Sequence, residues 1–390
     1  MDKLSHLLAE SELPHSLTGP EVNRYSRQLL LHGIGVEGQE KLKNAKVLVV
    51  GAGGLGCPAM MYLTGAGIGT IGVIDHDTVD ISNLHRQVMH SSHNTGMSKA
   101  LSARNFIQNL NPNVNVEAYP EALNIHNSKE IVPKYDIILD GSDNAETRYL
   151  INDLGVFYGK PIVSGCALKW EGQLTIYGVG PCYRCIYPEP APASMRGNCS
   201  GDGVMGGIPG VIGTLQAIET VKLILGLPNL VGKLLVYDGY STSFRVINLR
   251  GKRSDCLACN KELNPHEFNY TEFAGGTCTT MIHIDERHVI SPNNYKEELA
   301  QKDHIIIDVR PAIQFKICRL QNSISIPMEK LGEYLEILRE LRNTIVIICK
   351  RGITARRAAQ FLLENNISNI RVLDGGLEGW RRVDPEFPAY

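Results

Sequence analysis

The sequence lacks a strong net charge, a large share of aromatic residues and any long apolar run. Its 390 residues carry a formal net charge of -2, with 21% charged and 6% aromatic residues. This near-neutral composition does not predict that the chain binds nucleic acid or an anionic membrane through its overall charge. We therefore expect no direct binding of nucleic acid, and we expect partners to be recognised at local sites.

Signals for secretion or membrane insertion are also missing from the pattern. The first residues, MDKLSHLLAESEL, place acidic residues in a short apolar stretch and lack a basic start. Apolar runs such as 47–50 and 345–349 have the length of strands, far below the roughly 20 residues of a membrane helix. The pattern predicts a soluble protein of the cytosol that does not span a membrane.

Cysteine, in contrast, is plentiful, and four of the ten cysteines form two CxxC pairs. Cys182 and Cys185 lie in PCYRCIYP, and Cys256 and Cys259 lie in SDCLACN. Four thiolates at these spacings match a tetrahedral zinc site. A redox-active CxxC is the alternative, but two pairs in one intracellular domain are better explained by one shared metal ion. We expect one structural Zn²⁺ per chain.

Apolar periodicity divides the chain into two α/β domains. Predicted strands at 46–50 and 70–75 flank a glycine turn and a helix, and this βαβ unit is typical of a doubly wound sheet. A second, smaller α/β pattern begins after a polar stretch. The predicted parts are an N-terminal extension over 1–20, a first domain over 21–259, a linker over 260–279 and a second domain over 280–390.

The glycine turn after the first strand predicts a nucleotide site. Gly51, Gly53 and Gly56 form GxGxxG between a strand and a helix, and Asp75 ends the next strand. Backbone N–H groups at such a turn cradle phosphates, and the aspartate accepts hydrogen bonds from ribose hydroxyls. Taken by itself the motif also fits an NAD-dependent dehydrogenase, which remains the alternative.

Residues beyond Asp75 favour ATP over NAD. The segment DTVDISNLHRQ places Asn83 and Arg86 just after the strand, and Lys99 follows at a predicted helix start. Such cations suit a triphosphate better than a nicotinamide ring. Asp143, in DGSDN, follows another strand, where a Mg²⁺ ligand is expected in this class of sheet.

Together with NRYSRQLLLHGIG near the start, these motifs closely resemble the adenylating enzymes related to the bacterial molybdopterin- and thiamine-pathway activators and to ubiquitin-activating enzymes. The resemblance implies a homodimer in which Arg27 reaches the phosphates across the interface. It also implies a Rossmann-like domain that binds ATP and transient Mg²⁺ through Gly51, Gly53, Gly54, Gly56, Asp75, Asp77, Ser82, Asn83, Leu84, His85, Arg86, Lys99, Asp143 and Asn144.

Cys199 is the first candidate nucleophile. It lies in MRGNCSGDGVMGG, a glycine-rich stretch just before a predicted helix. Glycines let such a loop move, and a helix N-terminus lowers the pKa of a nearby thiol. An exposed loop thiol without function is the alternative. In the resembled eukaryotic activators, a cysteine in this loop forms a thioester or acyl disulfide with the carrier.

The second candidate nucleophile is Cys349, which ends the apolar strand TIVIIC before KRGITARR opens a helix. We expect its sulfur to face backbone amides, the helix dipole and the side chains of Lys350, Arg351 and Arg356. Such a setting stabilises a thiolate or persulfide anion. A buried strand cysteine without function is the alternative.

The region from 281 to 390 resembles single-domain rhodaneses. The resemblance rests on IIDVRPAIQFKICRLQNSISIP, which contains Asp308 and Arg310, and on LDGGLEGWRRVDPEFPAY at the end. A non-catalytic docking module is the alternative, and the presence of Cys349 argues against it. The sequence departs from the family at Arg319, in place of a histidine, and at the loop residues Ile353, Thr354 and Ala355, in place of Asn, Asp and Ser.

An adenylating domain followed by a rhodanese is the layout of eukaryotic proteins that serve molybdenum cofactor synthesis and activate a ubiquitin-related modifier. The resemblance implies adenylation of the C-terminal glycine of a ubiquitin-like sulfur carrier, followed by persulfide transfer that gives a thiocarboxylate for tRNA wobble-uridine thiolation and molybdopterin synthesis. Its sulfur donor would be a cysteine desulfurase or another protein. We interpret the remaining cysteines as core or incidental residues: Cys57, Cys166, Cys278 and Cys318.

Overall fold

The computed structural model describes residues 16–191, 203–274, 284–299 and 303–388. The chain divides into two compact units, Met1–Gly276 and Thr277–Tyr390. The first unit contains a mixed sheet and the second a parallel sheet, and each unit has its own buried core. The prediction of two α/β parts is confirmed.

The first unit is built on an eight-stranded sheet. Its strands are β1 Lys46–Val50, β2 Thr70–Ile74, β3 Asn115–Tyr119, β4 Ile137–Asp140, β5 Ile162–Leu168, β6 Glu171–Tyr177, β7 Lys233–Asp238 and β8 Ser243–Asn248. They lie in the order β3-β2-β1-β4-β5-β6-β7-β8. The first five are parallel, and β6, β7 and β8 continue the sheet as an antiparallel meander.

Helices cover both faces of this sheet. They are α1 Gly19–Leu29, α2 Gly35–Asn44, α3 Gly56–Ala66, α4 Lys99–Leu110, α5 Ser128–Ile131, α6 Ala145–Tyr158, α7 Tyr183–Ile186, α8 Gly207–Leu225 and α9 Tyr270–Phe273, with 3-10 turns at Ile81–Asn83, Ser92–Asn94 and Val132–Lys134. Alternate residues of β1 enter opposite cores: Val47 and Val49 join one, and Leu48 and Val50 join the other. Burial on both faces is the pattern of a doubly wound sheet.

Helix α8 is long and apolar enough, by length and composition, to cross a membrane. It packs instead along the sheet of the first unit. Gly213 lets it approach α3 closely, because a Cβ there would lie 2.2 Å from the carbonyl oxygen of Leu55. Gln216 Nε2 donates to the carbonyl oxygens of Asp140 (2.8 Å) and Val163 (3.0 Å). We conclude that α8 is the core helix of this unit.

A five-stranded parallel sheet forms the second unit. Its strands are β9 Val289–Ile290, β10 His304–Asp308, β11 Ser323–Ser325, β12 Thr344–Ile348 and β13 Ile370–Leu373, in the order β11-β10-β12-β13-β9. Its helices are α10 Pro292–Leu299, α11 Ala312–Ile317, α12 Leu335–Glu340, α13 Ile353–Glu364 and α14 Gly376–Trp380, with 3-10 turns at Glu286–His288 and Met328–Tyr334. The sequence predicts one helix over 328–341. Gly332, which disfavours α-helix, lies within the 3-10 part that replaces its first half.

A buried ion pair braces the second unit. Arg310 and Asp308 are 2% and 0% exposed. Arg310 Nε donates to both oxygens of Asp308 (2.8 and 2.9 Å), and its Nη2 donates to the carbonyl oxygen of Cys318 (2.7 Å). Because a buried charge is tolerated only when it is paired and hydrogen-bonded, these residues shape the fold rather than react.

The segment predicted as a linker differs from that expectation. Residues 260–274 belong to the first unit, and Tyr270 is only 5% exposed. The guanidinium of Arg184 lies 4.5 Å from the ring centroid of Phe273 and 4.9 Å from that of Phe268. Arg184 also pairs with the buried Asp153, which accepts a hydrogen bond from the Tyr270 hydroxyl (3.0 Å). Aromatic residues in a polar stretch therefore hold this segment against α6.

Candidate functional site

The glycine turn lies where the carboxyl ends of β1 and β4 meet. Gly51 has a φ of +98°, and a Cβ there would lie 2.8 Å from the carbonyl oxygen of Gly141. A Cβ on Gly56 would lie 1.9 Å from the carbonyl oxygen of Gly51. Both positions require glycine because the turn folds onto itself and onto the next loop. Gly53 and Gly54 complete the turn, and a Cβ on Gly54 would lie 3.2 Å from the side chain of Pro209 and 3.4 Å from that of Arg86.

Asp75 holds this turn from the neighbouring strand β2. Its Oδ2 accepts the N–H of Ala52 (2.7 Å), and its Oδ1 accepts the N–H of Asp77 (2.8 Å). Each carboxylate oxygen has a second lone pair. The buried Asp75 can therefore orient the turn and still accept a ribose hydroxyl.

Lys99 and Asp77 form an ion pair just beyond the carboxyl end of β2. Lys99 is 5% exposed, and its Nζ lies 2.7 Å from Asp77 Oδ2. Burial acts to raise the pKa of Asp77, but the hydrogen bond and the charge of Lys99 hold that pKa below its ordinary value. An incoming phosphate would compete with this carboxylate for the ammonium group.

The DISNLHR segment follows as a 3-10 turn, Ile81–Asn83. The Asp80 side chain caps it by accepting the N–H of Ser82 (2.8 Å). Arg86 Nη2 donates to Asn83 Oδ1 (2.6 Å), and His85 Nδ1 lies 3.1 Å from the carbonyl oxygen of Ser82. Leu84 is half-buried beside them, and His85 is exposed. Arg86 is thus oriented beside Gly54 of the turn.

Asp143 and Asn144 follow β4. Asp143 is exposed, at the carboxyl end of the sheet, where a carboxylate can hold a divalent cation. Asn144 is the N-cap of α6, and its Oδ1 accepts the N–H of Thr147 (2.8 Å). Capping positions Asn144, and the second lone pair of its oxygen and its side-chain NH₂ group leave it able to contact a nucleotide.

Sequence reasoning missed a buried polar network behind Asp143. Asp140, 1% exposed, accepts hydrogen bonds from the hydroxyls of Ser142 (2.6 Å) and Ser164 (2.8 Å). Arg148 Nε lies 3.5 Å from the same carboxylate. Its Nη2 donates to the carbonyl oxygens of Ser142 (3.1 Å) and Gly165 (3.3 Å). The signal was present in DGSDN and VSGC, where polar residues interrupt or end buried strands.

His90 is another residue near the glycine turn that the sequence motifs did not predict. It is 7% exposed, with Nε2 lying 2.9 Å from the carbonyl oxygen of Ala52 and Nδ1 lying 2.9 Å from Ser102 Oγ. A carbonyl only accepts, so Nε2 carries the proton and Nδ1 accepts from the serine hydroxyl. Burial lowers the pKa of His90, which favours this neutral form and fixes the second side of the glycine turn.

A cavity of about 270 Å³ opens next to this network. It lies over β5 and β6, on the face opposite α8. Its wall includes Arg148, Ser164, Gly165, Cys166, Gln173, Thr175, Tyr177, Tyr183 and Tyr187. Arg148 therefore links the loop before Asp143 to the cavity. A cavity beside a nucleotide site, lined by both polar and aromatic side chains, can hold part of a substrate.

The four predicted zinc ligands converge. The sulfur atoms of Cys182 and Cys185 are 3.7 Å apart, those of Cys182 and Cys256 are 3.5 Å apart, and those of Cys185 and Cys259 are 3.7 Å apart. A tetrahedral site with Zn–S bonds near 2.3 Å has S–S edges of roughly 3.8 Å. The geometry therefore fits one Zn²⁺, with the N–H of Arg253 donating to Cys185 Sγ (3.4 Å). One metal site using both pairs accounts better for this arrangement than two separate redox pairs.

Removing zinc should lower the thermal stability of the first unit. The ligands lie at the N-cap and within α7 and on the segment after β8, so one ion joins distant parts of the chain. Structural zinc contributes roughly 10–16 kcal/mol in small zinc-finger peptides. We expect a strong chelator to release about one Zn²⁺ per chain and to lower the melting temperature. Metal analysis that found no zinc in freshly purified, unchelated protein would rule this site out.

Cys349 lies at the end of β12 with its sulfur on the backbone of the following loop. Cys349 Sγ accepts the N–H groups of Gly352 (3.1 Å) and Ala355 (3.3 Å). Burial raises the pKa of the thiol, and these N–H groups act against that rise. The expected cradle of backbone amides is present, while the net direction favours the neutral thiol before sulfur transfer.

The cations expected around Cys349 have other partners. Arg356 Nη2 donates to Asp374 (2.8 Å), and Arg351 lies 3.8 Å from Glu378. In the described part of the chain, backbone N–H groups donate the hydrogen bonds to the sulfur, and stabilisation of its anion by these cations stays a prediction. Carboxylates on the segment after β13 and on α14 neutralise the guanidinium groups locally. These pairs were not predicted because the partners are separated in sequence.

Family comparison identifies both units. The model of the ThiF family matches residues 25–258, and that of the rhodanese-like domain matches residues 291–383. The chain belongs to the ThiF family. Within this family it carries a C-terminal rhodanese-like domain.

Relatives with the same two domains are similar along nearly the whole chain. The adenylyltransferase and sulfurtransferase MOCS3 of Drosophila persimilis is 44% identical, over 96% of this chain and 86% of that protein. The protein of the same name from Culex quinquefasciatus is 42% identical, over 96% of this chain and 90% of that protein. The chain is thus a bifunctional adenylyltransferase and sulfurtransferase, and the dehydrogenase alternative has no support.

Solved structures match the first unit. A crystal structure of PaaA has 26% identity and a TM-score of 0.51, covering 64% of this chain and 81% of that chain. A crystal structure of E. coli MccB with ATP has 25% identity and a TM-score of 0.51, covering 61% of this chain and 74% of that chain. These matches agree with the Rossmann-like fold and with a family that binds ATP.

Of the six remaining predicted residues, four lie in the described part of the chain. Cys199 and Cys278 lie outside the described residues. Arg27 is exposed on α1, and the hydrogen bonds and ion pairs found in the described part of the chain do not connect it to the glycine turn. Cys57 is fully buried, and burial raises its pKa to about 12, as fits a core residue. Cys318 is also buried, whereas Cys166 is half-buried and lines the cavity.

Proposed function

We propose that this enzyme adenylates the C-terminal glycine of a ubiquitin-like sulfur carrier and then converts that glycine into a thiocarboxylate. The observation that carries the proposal is the presence in one chain of a nucleotide-type turn and a loop thiol held by backbone N–H groups. The product would serve tRNA wobble-uridine thiolation and molybdenum cofactor biosynthesis. A cysteine desulfurase or another protein would supply the sulfur.

In the first step, the carrier's carboxylate attacks the α-phosphorus of ATP and displaces pyrophosphate. Arg86, whose side chain lies beside Gly54, and Lys99, which pairs with Asp77, would stabilise the negative charge that develops on the phosphates. Asp143 would hold Mg²⁺, which supplies charge neutralisation at the phosphates. Its exposed carboxylate, next to the turn at the end of β4, fits that use.

The carrier's tail would lie in the cavity over β5 and β6. Small residues are favoured there because the cavity is only about 270 Å³, so a glycine-rich C-terminus fits better than a bulky one. Arg148 connects this cavity to the loop before Asp143 through one guanidinium nitrogen. The tail's carboxylate would therefore approach the α-phosphate from the cavity side.

A homodimer would complete the nucleotide site. Arg27 shares a face of α1 and its C-terminal turn with Leu30 and Leu31, which are 77% and 56% exposed. An apolar face of this kind is stabilised when a second subunit covers it. We propose that a second copy of the chain covers this face and that Arg27 contacts the partner's ATP phosphates. We also propose that the protein is located in the cytosol.

Sulfur transfer would follow adenylation. A persulfide on Cys349 would attack the adenylate carbonyl, and the amide cradle of Gly352 and Ala355 would stabilise its negative charge. Cys199 would help to resolve the intermediate so that the thiocarboxylate leaves.

Carrier-dependent exchange of pyrophosphate into ATP tests the proposal. We expect exchange with a ubiquitin-like protein ending in Gly-Gly and none with the same protein lacking its last glycine, because the attacking carboxylate must reach the α-phosphate. NAD should not compete with ATP. Exchange that proceeds equally without the carrier, or with the truncated carrier, would contradict the assignment.

A further inference from the structure

The side-chain amide of Gln87 is buried without a hydrogen bond. Three glutamines are buried in the described part of the chain: Gln39, Gln87 and Gln216. Gln39 Nε2 donates to the carbonyl oxygen of Ala66 (2.9 Å), and Gln216 Nε2 donates to two carbonyl oxygens. Gln87 is 4% exposed, and among the described residues neither its Oε1 nor its Nε2 has a hydrogen-bond partner. Buried amides are nearly always bonded, so this side chain calls for an explanation.

The backbone of Gln87 is held on both sides. Its N–H donates to the carbonyl oxygen of Asn83 (3.0 Å), and its carbonyl oxygen accepts the N–H of His90 (3.1 Å). The ring of His90 bonds in turn to the carbonyl oxygen of Ala52 in the glycine turn (2.9 Å). The side chain of Gln87 therefore extends from a fixed position beside this turn.

The amide nitrogen of Gln87 lies over the middle of the glycine turn. In the described part of the chain, a Cβ on Gly53 would have only Gln87 Nε2 within 4 Å, at 3.8 Å. Gly53 is the second glycine of GxGxxG, the position at which a backbone without a side chain approaches the phosphates of a nucleotide. The structure shows no partner for the N–H groups of Gly53 and Gly54 among the residues it describes. A phosphate over this turn would meet these N–H groups and the nitrogen of Gln87.

We infer that Gln87 is a further phosphate-binding residue of the adenylation site, which donates a hydrogen bond from Nε2 to a phosphate oxygen of ATP over Gly53. The inference rests on the proposed binding of ATP at this turn. Asp75 supplies an acceptor for the ribose, whereas a phosphate needs donors. An amide that lowers the stability of the fold without nucleotide fits a residue whose bond is made to the substrate.

Two variants of the full chain separate donation by Gln87 from acceptance. Gln87→Met keeps the length of the side chain and removes both polar atoms, and Gln87→Glu keeps an acceptor but loses the donor. We expect each to weaken the binding of MgATP, titrated by calorimetry without carrier, by about tenfold or more, because a hydrogen bond to a charged group is lost. Gln87→Glu should bind more weakly than Gln87→Met, since its carboxylate repels the phosphates. Parental affinity in Gln87→Glu would overturn the inference.

The melting temperature without nucleotide distinguishes a phosphate contact from a structural brace. Gln87→Met should melt at or above the parental temperature, because it removes a buried oxygen that has no partner. MgATP should then raise its melting temperature less than it raises that of the parent. A lower melting temperature together with parental affinity for MgATP would show a brace and would overturn the inference.

The matched control is Gln39→Met, which removes an amide that is bonded through both its oxygen and its nitrogen. It should melt below the parent and bind MgATP with the parental Kd. Parental affinity in both Gln87 variants would leave the proposed function intact and remove only the role of Gln87. Failure of the unmutated enzyme to bind MgATP would remove the nucleotide site and the proposed function together.

Discussion

Asp143→Ala should lose carrier-dependent pyrophosphate exchange by at least about 100-fold, because removing a group that stabilises transition-state charge costs on the order of 10²–10³ in rate. Asp143 is exposed at the carboxyl end of β4. The residues next to it already have structural bonds, since Asn144 caps α6 and Ser142 bonds Asp140. The carboxylate of Asp140 is held by these bonds and does not replace that of Asp143. Charge neutralisation at the phosphates should therefore fail.

The measurement needs a control for folding and for charge. Glu130→Ala removes an exposed carboxylate from the short helix α5, away from the carboxyl ends of β1, β2 and β4, and should exchange at the rate of the unmutated enzyme. Surface substitutions usually change the free energy of unfolding by less than about 0.5 kcal/mol, so both variants should melt as the parent does. Parental exchange rates in Asp143→Ala would show that this carboxylate is not the ligand.

Motifs that depend on local sequence were predictable. The glycine turn follows from Gly51 and Gly56, whose close approaches exclude any side chain. The zinc ligands follow from two CxxC pairs. The glycines of the turn, and the two cysteines within each pair, lie within a few positions of each other, so local spacing predicts their geometry. The fold then brings the two cysteine pairs together across 74 residues.

Contacts between distant parts of the chain were not predictable in the same way. Residues 260–274 are polar overall, and the aromatic contacts that hold them require Arg184 and Asp153, which lie about a hundred residues earlier in the sequence. The ion pairs of Arg351 and Arg356 with residues beyond β13 were hidden for the same reason. Strand β3 was not predicted either, because Asn115–Tyr119 is an edge strand in which no residue is fully buried.

At Cys349 the predicted cradle of backbone N–H groups is present, but the pKa of the thiol is raised rather than lowered. A basic loop suggests a reactive thiolate, but burial raises the pKa of the thiol, and the nearby guanidinium groups pair with carboxylates. The backbone N–H groups of Gly352 and Ala355 still face the sulfur. Their arrangement suits an anion that forms only after sulfur arrives, because a persulfide brings added charge into a site already lined with donors.

The two proposed nucleophiles should separate by the step that each one serves. Adenylation needs no thiol, whereas sulfur transfer needs a nucleophile that already carries sulfur. We therefore expect both Cys199→Ala and Cys349→Ala to form the acyl-adenylate, as pyrophosphate exchange reports. With a protein persulfide donor, Cys349→Ala should make no detectable thiocarboxylate, since the amide cradle would have no sulfur to hold.

Mass spectrometry of the carrier's C-terminus reads this difference as the replacement of one oxygen by sulfur. Cys199→Ala should retain some thiocarboxylate when free sulfide is supplied, because sulfide can attack the adenylate directly. The matched control is Cys318→Ala, which removes another buried thiol of the second unit and should leave the product unchanged. Full thiocarboxylate production by Cys349→Ala with the persulfide donor would mean that sulfur reaches the carrier without this loop, and the proposed relay would then fail.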